Sequence, residues 1–160
     1  MLIRPLIESD ILSCAEIVAD APVWQRYGIT VETATKRLSD TLHTDALILV
    51  ADDGTGHATG FAWLLRQGAF GLSGYIRWLA VASTARGGGI GQKLLVAAEA
   101  QIQPPARDMF LLCSDFNVDA QRFYERQGYS RIGTLQDYVL PGIAEYIYRK
   151  RLIRTDISSR

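Results

Sequence analysis

Between Tyr75 and Gln103 the chain reads YIRWLAVASTARGGGIGQKLLVAAEAQIQ, an apolar strand joined to an amphipathic helix through an arginine and four glycines. No other stretch restricts the fold as much. Glycine reaches positive φ and lets a ligand approach the main chain. The helix that follows begins with unpaired N–H groups at the positive end of its dipole. Arg86, Gly87, Gly88, Gly89, Ile90 and Gly91 therefore offer a backbone-lined seat for a phosphate or pyrophosphate. The bland alternative is a flexible linker, but a linker would be rich in Ser and Gly throughout, and these flanks are strongly patterned.

Spacing separates the known phosphate loops. A Walker loop needs G-x-x-x-x-G-K-[ST]; here Gln92 follows Gly91, so the lysine comes one place late and no hydroxyl follows it. A dinucleotide fingerprint needs G-x-G-x-x-G, and the positions that would close it hold Gln92 and Leu94. What fits is [Q/R]-x-x-G-x-[G/A], as Arg86, Gly89 and Gly91, after Leu79-x-Val81 in a strand. A second run follows: Asn117-x-x-Ala120-x-x-Phe123-Tyr124-Glu125-x-x-Gly128-Tyr129. Asn117 can cap its helix, Ala120 is small enough for close approach, Phe123 would face the core, and Gly128 suits a left-handed helix end.

Together the two runs resemble the GNAT superfamily of acetyl-CoA-dependent N-acetyltransferases. Its members carry the first pattern for the donor and N-x-x-A-x-x-[FL]-Y-x-x-x-G-[FY] after the fifth strand. The resemblance covers nearly the whole chain from Leu2 to Leu152 and implies an α/β fold. A mixed central sheet of about seven strands would carry four helices in the order β-α-α-β-β-β-α-β-α-β-β. It implies direct transfer of an acetyl group from acetyl-CoA to a primary amine of a small molecule or peptide. Backbone groups of Leu79, Ala80 and Val81 would meet the donor. Arg86 and the amides from Gly87, Gly88, Gly89, Ile90 and Gly91 to Gln92 would take its pyrophosphate. Asn117 would reach the pantetheine arm. Tyr124 would give a proton to the departing thiolate, or only pack against that arm.

The general base is not written in the motifs. Some relatives use a Glu on the central strand, and Tyr75 to Val81 contains none. Tyr75, Asp115 and Glu145 are the candidates, each with a structural reading beside the catalytic one. In this family the acceptor is chosen by the loop between the first two helices and by the connection before the last strand. These are 20–29 and 136–144 here, with Trp24, Tyr27, Asp137 and Tyr138. Aromatic rings and a carboxylate suit a cationic amine, although Trp24 and Tyr27 could equally close the bottom of the core. The rival from another class is a non-catalytic acetyl-CoA-binding sensor or interaction module of the same fold.

The rest of the chain reads as one domain, 1–153, with a tail at 154–160. Apolar periodicity gives a strand at 2–6, a helix capped by Ser9 or Asp10, a Pro- and Gly-broken loop at 20–28, and a helix capped by Thr30. A hairpin then spans 46–66, a loop 67–74 and the central strand 75–81. The helix of the glycine loop follows, ended by Pro104-Pro105. After it come strand 109–113, helix 117–127, strand 129–135, the connection 136–144 and the strand 145–152. Lys and Arg number 17 and so do Asp and Glu, so there is no global field for nucleic acid or an anionic membrane. The apolar runs are too short to span a bilayer, and MLIRPLIESD lacks a signal-peptide core. Cys14 and Cys113 sit far apart in apolar patterns and read as reduced core residues of a cytoplasmic protein. His43 and His57 stand alone, so no metal site is expected. The last strand, EYIYRKRL, reads as a solvated edge or as the seam of a homodimer.

Overall fold

Period-two alternation puts the large side chains of each central strand on opposite faces of the sheet, and each face has its own helices. In this computed structural model residues 1–152 are described; the expected tail at 154–160 lies outside the described residues. The strands are β1 (Leu2–Pro5), β2 (Leu47–Asp52), β3 (Ala58–Ala69), β4 (Ser73–Val81), β5 (Asp108–Ser114), β6 (Ser130–Leu135) and β7 (Glu145–Arg151). The helices are α1 (Ile11–Asp20), α2 (Pro22–Arg26), α3 (Val31–Thr41), α4 (Ile90–Glu99) and α5 (Val118–Arg126). The sheet runs β1-β2-β3-β4-β5-β7-β6. All neighbours are antiparallel except β4 and β5.

Phe61, Trp63, Trp78 and Val50 face α1 and α3, where Val18 and Leu38 are fully buried. On the other face Leu64, Ile76, Met109 and Leu111 pack against Leu94, Leu95 and Ala98 of α4 and against Tyr124 of α5. Each such aliphatic side chain contributes roughly 1.5–3 kcal/mol by leaving water. Arg4 ties β1 to the entrance of α1. It donates to both carboxylate oxygens of Asp10, at 2.6 and 2.9 Å, and to Asp52 at 2.9 Å.

Several expectations change. The segment read as a loop at 20–28 contains α2, because Pro22 sits at the first helical position, where its missing N–H costs nothing. The described residues therefore hold five α-helices where four are expected. Asp10 does not cap α1: its side chain accepts from Ile7 N–H and is held by Arg4. Thr30 does cap α3, accepting from Thr33 N–H at 3.2 Å. The expected loop at 67–74 is mostly strand. Phe70 and Gly71 take φ of 56° and 67°, which turns β3 into β4 within a few residues. The last strand is not an edge, since β7 pairs with β5 on one side and β6 on the other. After β5 the chain passes over α5 and places β6 outermost, and β7 returns into the gap. Cys14 and Cys113 are both buried and free. Among the described residues no helix is long and apolar enough to cross a membrane, and no group of His, Cys, Asp or Glu is arranged to hold a metal ion.

Candidate functional site

The site begins where two parallel strands part. β4 and β5 pair only from Gly74 opposite Met109 to Ile76 opposite Leu111. The next residue, Arg77, is a bulge: Trp63 of β3 faces Trp78, while Leu64 faces Ile76. An extra residue bends and twists its strand, and the turn here falls at the point where β4 leaves β5. Beyond Ile76 the β5-facing edge of β4 has no strand partner, so its main-chain groups are open to a ligand.

That wedge leads directly to the glycine loop. Gly87 and Gly89 hold φ of 84° and 74°, conformations that cost an L-residue with a side chain. Gly89 is the N-cap of α4 and no side chain caps the helix, so its first amides face outward without a protein partner from a cap. A Cβ on Gly91 would meet Phe123 Cζ at 3.4 Å, so α4 and α5 approach closely here. The resulting cleft has a volume of about 890 Å³. Leu79, Ala80 and Val81 form one wall. Arg86, Gly87, Gly89, Ile90, Gly91 and Gln92 form the end, and Asn117 and Tyr124 the opposite wall. Gly88 alone of the expected donor residues does not line it. Arg86 donates from Nε to Val81 O at 3.4 Å and is exposed.

α5 supplies the far wall through the second motif. Asn117 Oδ1 accepts from Ala120 N–H at 3.4 Å, and Gly128 ends the helix at φ 88°. Tyr124 is buried, and its ring meets those of Phe123, Tyr129 and Tyr148. Among the described residues its hydroxyl has no hydrogen-bond partner. Burial, with smaller contributions from Cys113 and Tyr75, raises its pKa well above the usual phenol value, so it stays protonated at neutral pH.

Sequence reasoning singled out Trp24 but missed the helix that carries it and the Pro22 and Arg26 beside it. α2 brings Pro22, Trp24 and Arg26 to the cleft, facing Phe116. The Arg26 guanidinium lies 4.1 Å above the Phe116 ring, and the Tyr27 ring lies 6.1 Å from it. The Pro22 that starts α2 was the available signal, obscured by reading proline only as a breaker.

The other expected residues divide into two groups. Tyr27 and Glu145 come together: the Tyr27 hydroxyl donates to Glu145 Oε1 and lies 2.5 Å from Ser114 Oγ. Glu145 is only 5% exposed. Burial lifts its carboxyl above the ordinary glutamate value and the Asp115 charge adds to that, while the Tyr27 and Ser114 hydroxyls pull it back only in part. Burial first, then Glu145, push Tyr27 up to about 12. Tyr75 is lifted mainly by burial and also senses Glu145 and Tyr138. Asp115 and Asp137 accept from backbone amides. Asp115 accepts from Ala144 N–H at 3.1 Å, and Asp137, at φ 52°, accepts from Gly142 N–H at 2.6 Å within its own loop. Tyr138 is exposed. Trp24 packs on Trp78 at 5.6 Å while lining the cleft, so it serves core and site together.

Residues 44–131, more than half of the chain, match the family described as acetyltransferase (GNAT) domain. A curated relative, the blasticidin-S acetyltransferase of Streptomyces morookaense, is 32% identical over 91 residues, which is 52% of this chain and 66% of that protein. The chain thus spans just under two thirds of that relative. Among solved structures, a GNAT-family acetyltransferase from Desulfovibrio desulfuricans superposes with a TM-score of 0.80 at 21% identity, over 94% of this chain and 98% of that one. An aminoglycoside 6'-N-acetyltransferase complexed with coenzyme A gives 0.78 at 15% identity, over 97% and 99%. At these identities the two structures speak for the fold.

Proposed function

This chain belongs to the GNAT acetyltransferase family, and we propose that it moves an acetyl group from acetyl-CoA to a primary amine of a small molecule or peptide. The observation that carries the reading is continuity: the open β4 edge, the uncapped start of α4 and Tyr124 lie along one cleft. Acetyl-CoA bound there supplies an acyl thioester. The residues present fit it. Unpartnered amides and Arg86 suit a pyrophosphate, and a strand edge suits the amides of a pantetheine arm. A backbone N–H near Leu79 to Val81 would face negative charge that develops on a carbonyl oxygen. Tyr124 keeps its proton at neutral pH, next to where a thiolate would depart.

The acceptor end is acidic and aromatic. Glu145 and Asp115 lie near Tyr27, Tyr75 and Phe116, a combination that favours a cationic amine over an acidic one. The free cysteines support a reducing, cytoplasmic setting. The test is thiol release from acetyl-CoA with a panel of polyamines, aminoglycosides, blasticidin S, amino acids and peptides, with acetylated product identified by mass. Transfer to a cationic amine supports the reading. Tight acetyl-CoA binding with no transfer to any of them would leave a non-catalytic binding module instead.

A further inference from the structure

Where β5 meets β7, side chains from three distant parts of the chain converge on the Tyr27 hydroxyl. Tyr27 follows α2, Ser114 ends β5 and Glu145 begins β7. On the transferase reading above, we propose that Tyr27 and Glu145 form a proton relay that neutralises the acceptor ammonium before it attacks. Tyr27 Oη accepts a hydrogen from the nitrogen while its own hydrogen passes to Glu145 Oε1. One N–H bond breaks, one Tyr27 O–H bond forms, and the former Tyr27 O–H bond is exchanged for a Glu145 O–H bond. The electron pair of the broken N–H bond stays on nitrogen as its lone pair. Tyr27 ends neutral, and Glu145 passes from carboxylate to carboxylic acid.

The chemistry requires a proton acceptor, and β4 carries no carboxylate between Ser73 and Val81. Glu145 is too buried to meet an amine directly. Tyr27 is half-buried, and its ring lies 6.3 Å from Trp24 and 6.1 Å from Phe116, both of which line the donor cleft. Tyr27 itself does not line the cleft; it packs directly behind these two lining rings, between them and the buried carboxylate. Ser114 Oγ, 2.5 Å from Tyr27 Oη, fixes the direction of the phenol and is a positioning residue.

The surroundings make the Glu145 carboxylate a better proton acceptor than an ordinary one. Asp115, at the end of β5, sets a second negative charge against it, and protonation relieves that repulsion. Tyr75 of β4, Cys113 of β5 and Tyr138 of the β6–β7 connection also face this region, and burial keeps the Tyr75 phenol and the Cys113 thiol in their neutral forms at pH 7. The nearby cations are already engaged with rings: Arg26 lies over Phe116 and Arg77 over Trp63.

Tyr27→Phe and Glu145→Gln separate this role from a structural one. Each keeps the shape of the residue, and Gln retains an oxygen to accept from Tyr27. The rate kcat/KM is measured against pH with the best amine of the panel and with hydroxylamine, which is already neutral at pH 7. With the amine, each variant should lose roughly 100-fold or more at pH 7, and the gap should narrow as pH rises toward the acceptor's own pKa. With hydroxylamine the loss should stay within about threefold, and acetyl-CoA affinity should not change. An equal loss for both acceptors at every pH, or no loss with either, overturns the relay. Either variant decides the matter alone if the other fails to fold. Absence of turnover by the wild-type chain with every acceptor overturns the transferase reading, and the relay with it.

Discussion

Replacing Tyr124 by Phe deletes one oxygen from the wall of the cleft and nothing else. The ring contacts with Phe123 at 5.2 Å, Tyr129 at 5.8 Å and Tyr148 at 6.2 Å are made by carbon atoms and survive. The lost hydroxyl has no hydrogen-bond partner among the described residues, so its removal leaves no orphaned group. Folding stability should hold, because the hydroxyl reaches the cleft and its removal strands no protein group. Acetyl-CoA affinity should likewise hold, since the glycine loop and the β4 edge are untouched. The rate should not. A positioned acid contributes about 10²–10⁴-fold, and at 1.36 kcal/mol per decade that is roughly 2.7–5.4 kcal/mol of barrier. Burial raises the Tyr124 pKa, so the phenol remains a donor through the neutral range and its own ionisation should not limit the rate there. The assay is steady-state thiol release alongside acetyl-CoA titration and a thermal melt. An unchanged kcat in a variant that folds and binds normally would refute the proton-donor role.

Three further outcomes follow from the same geometry. Gly89→Ala should cost about 1–2 kcal/mol, since φ is 74° and nothing lies within 4 Å of an added Cβ to add a clash. A melt should show a Tm about 2–8 °C lower, and acetyl-CoA titration should show weaker binding. Asp10→Asn should cost on the order of 3 kcal/mol by leaving the half-buried Arg4 short of its main partner. The Arg4 hydrogen bond holds Asp10 below the usual carboxylate value, so its contribution is complete above the unfolded value of about 3.9 and is lost as pH falls through the folded one. Denaturant melts of Asp10→Asn and wild type should therefore converge in acid. Glu145 works in the opposite sense. Its folded pKa is raised, so ionising it costs stability from the unfolded value of about 4.3 upward, and the Tm of Glu145→Gln relative to wild type should increase as pH rises through that window.

Much of the proposed donor half of the site is legible in the sequence because it is local. Arg86 to Gln92 and Asn117 to Tyr129 are contiguous runs whose turns and caps are set by residues a few places apart. The fold class follows from the same runs and from the order of elements. The proposed acceptor half is not local. Tyr27 meets Glu145 across 118 positions, and no periodicity reports that. The place of β7 inside the sheet depends on strand order, which the alternation of EYIYRKRL cannot encode, since an interior strand with one solvated face alternates as an edge does. The Arg77 bulge that opens the wedge is set by register against β3. Asp137 suited an acceptor contact by type, yet its short side chain at positive φ accepts from its own loop, as aspartates in turns often do.

The most direct measurement of the central claim uses acetyl-CoA labelled in its acetyl carbons, incubated with the chain and the amine panel, with free thiol and labelled products counted together. The account predicts label on the nitrogen of a cationic amine, one acetylated product for each thiol released, and loss of both signals in Tyr124→Phe. Thiol release with no labelled amine, or no release with any acceptor while acetyl-CoA binds, would contradict it.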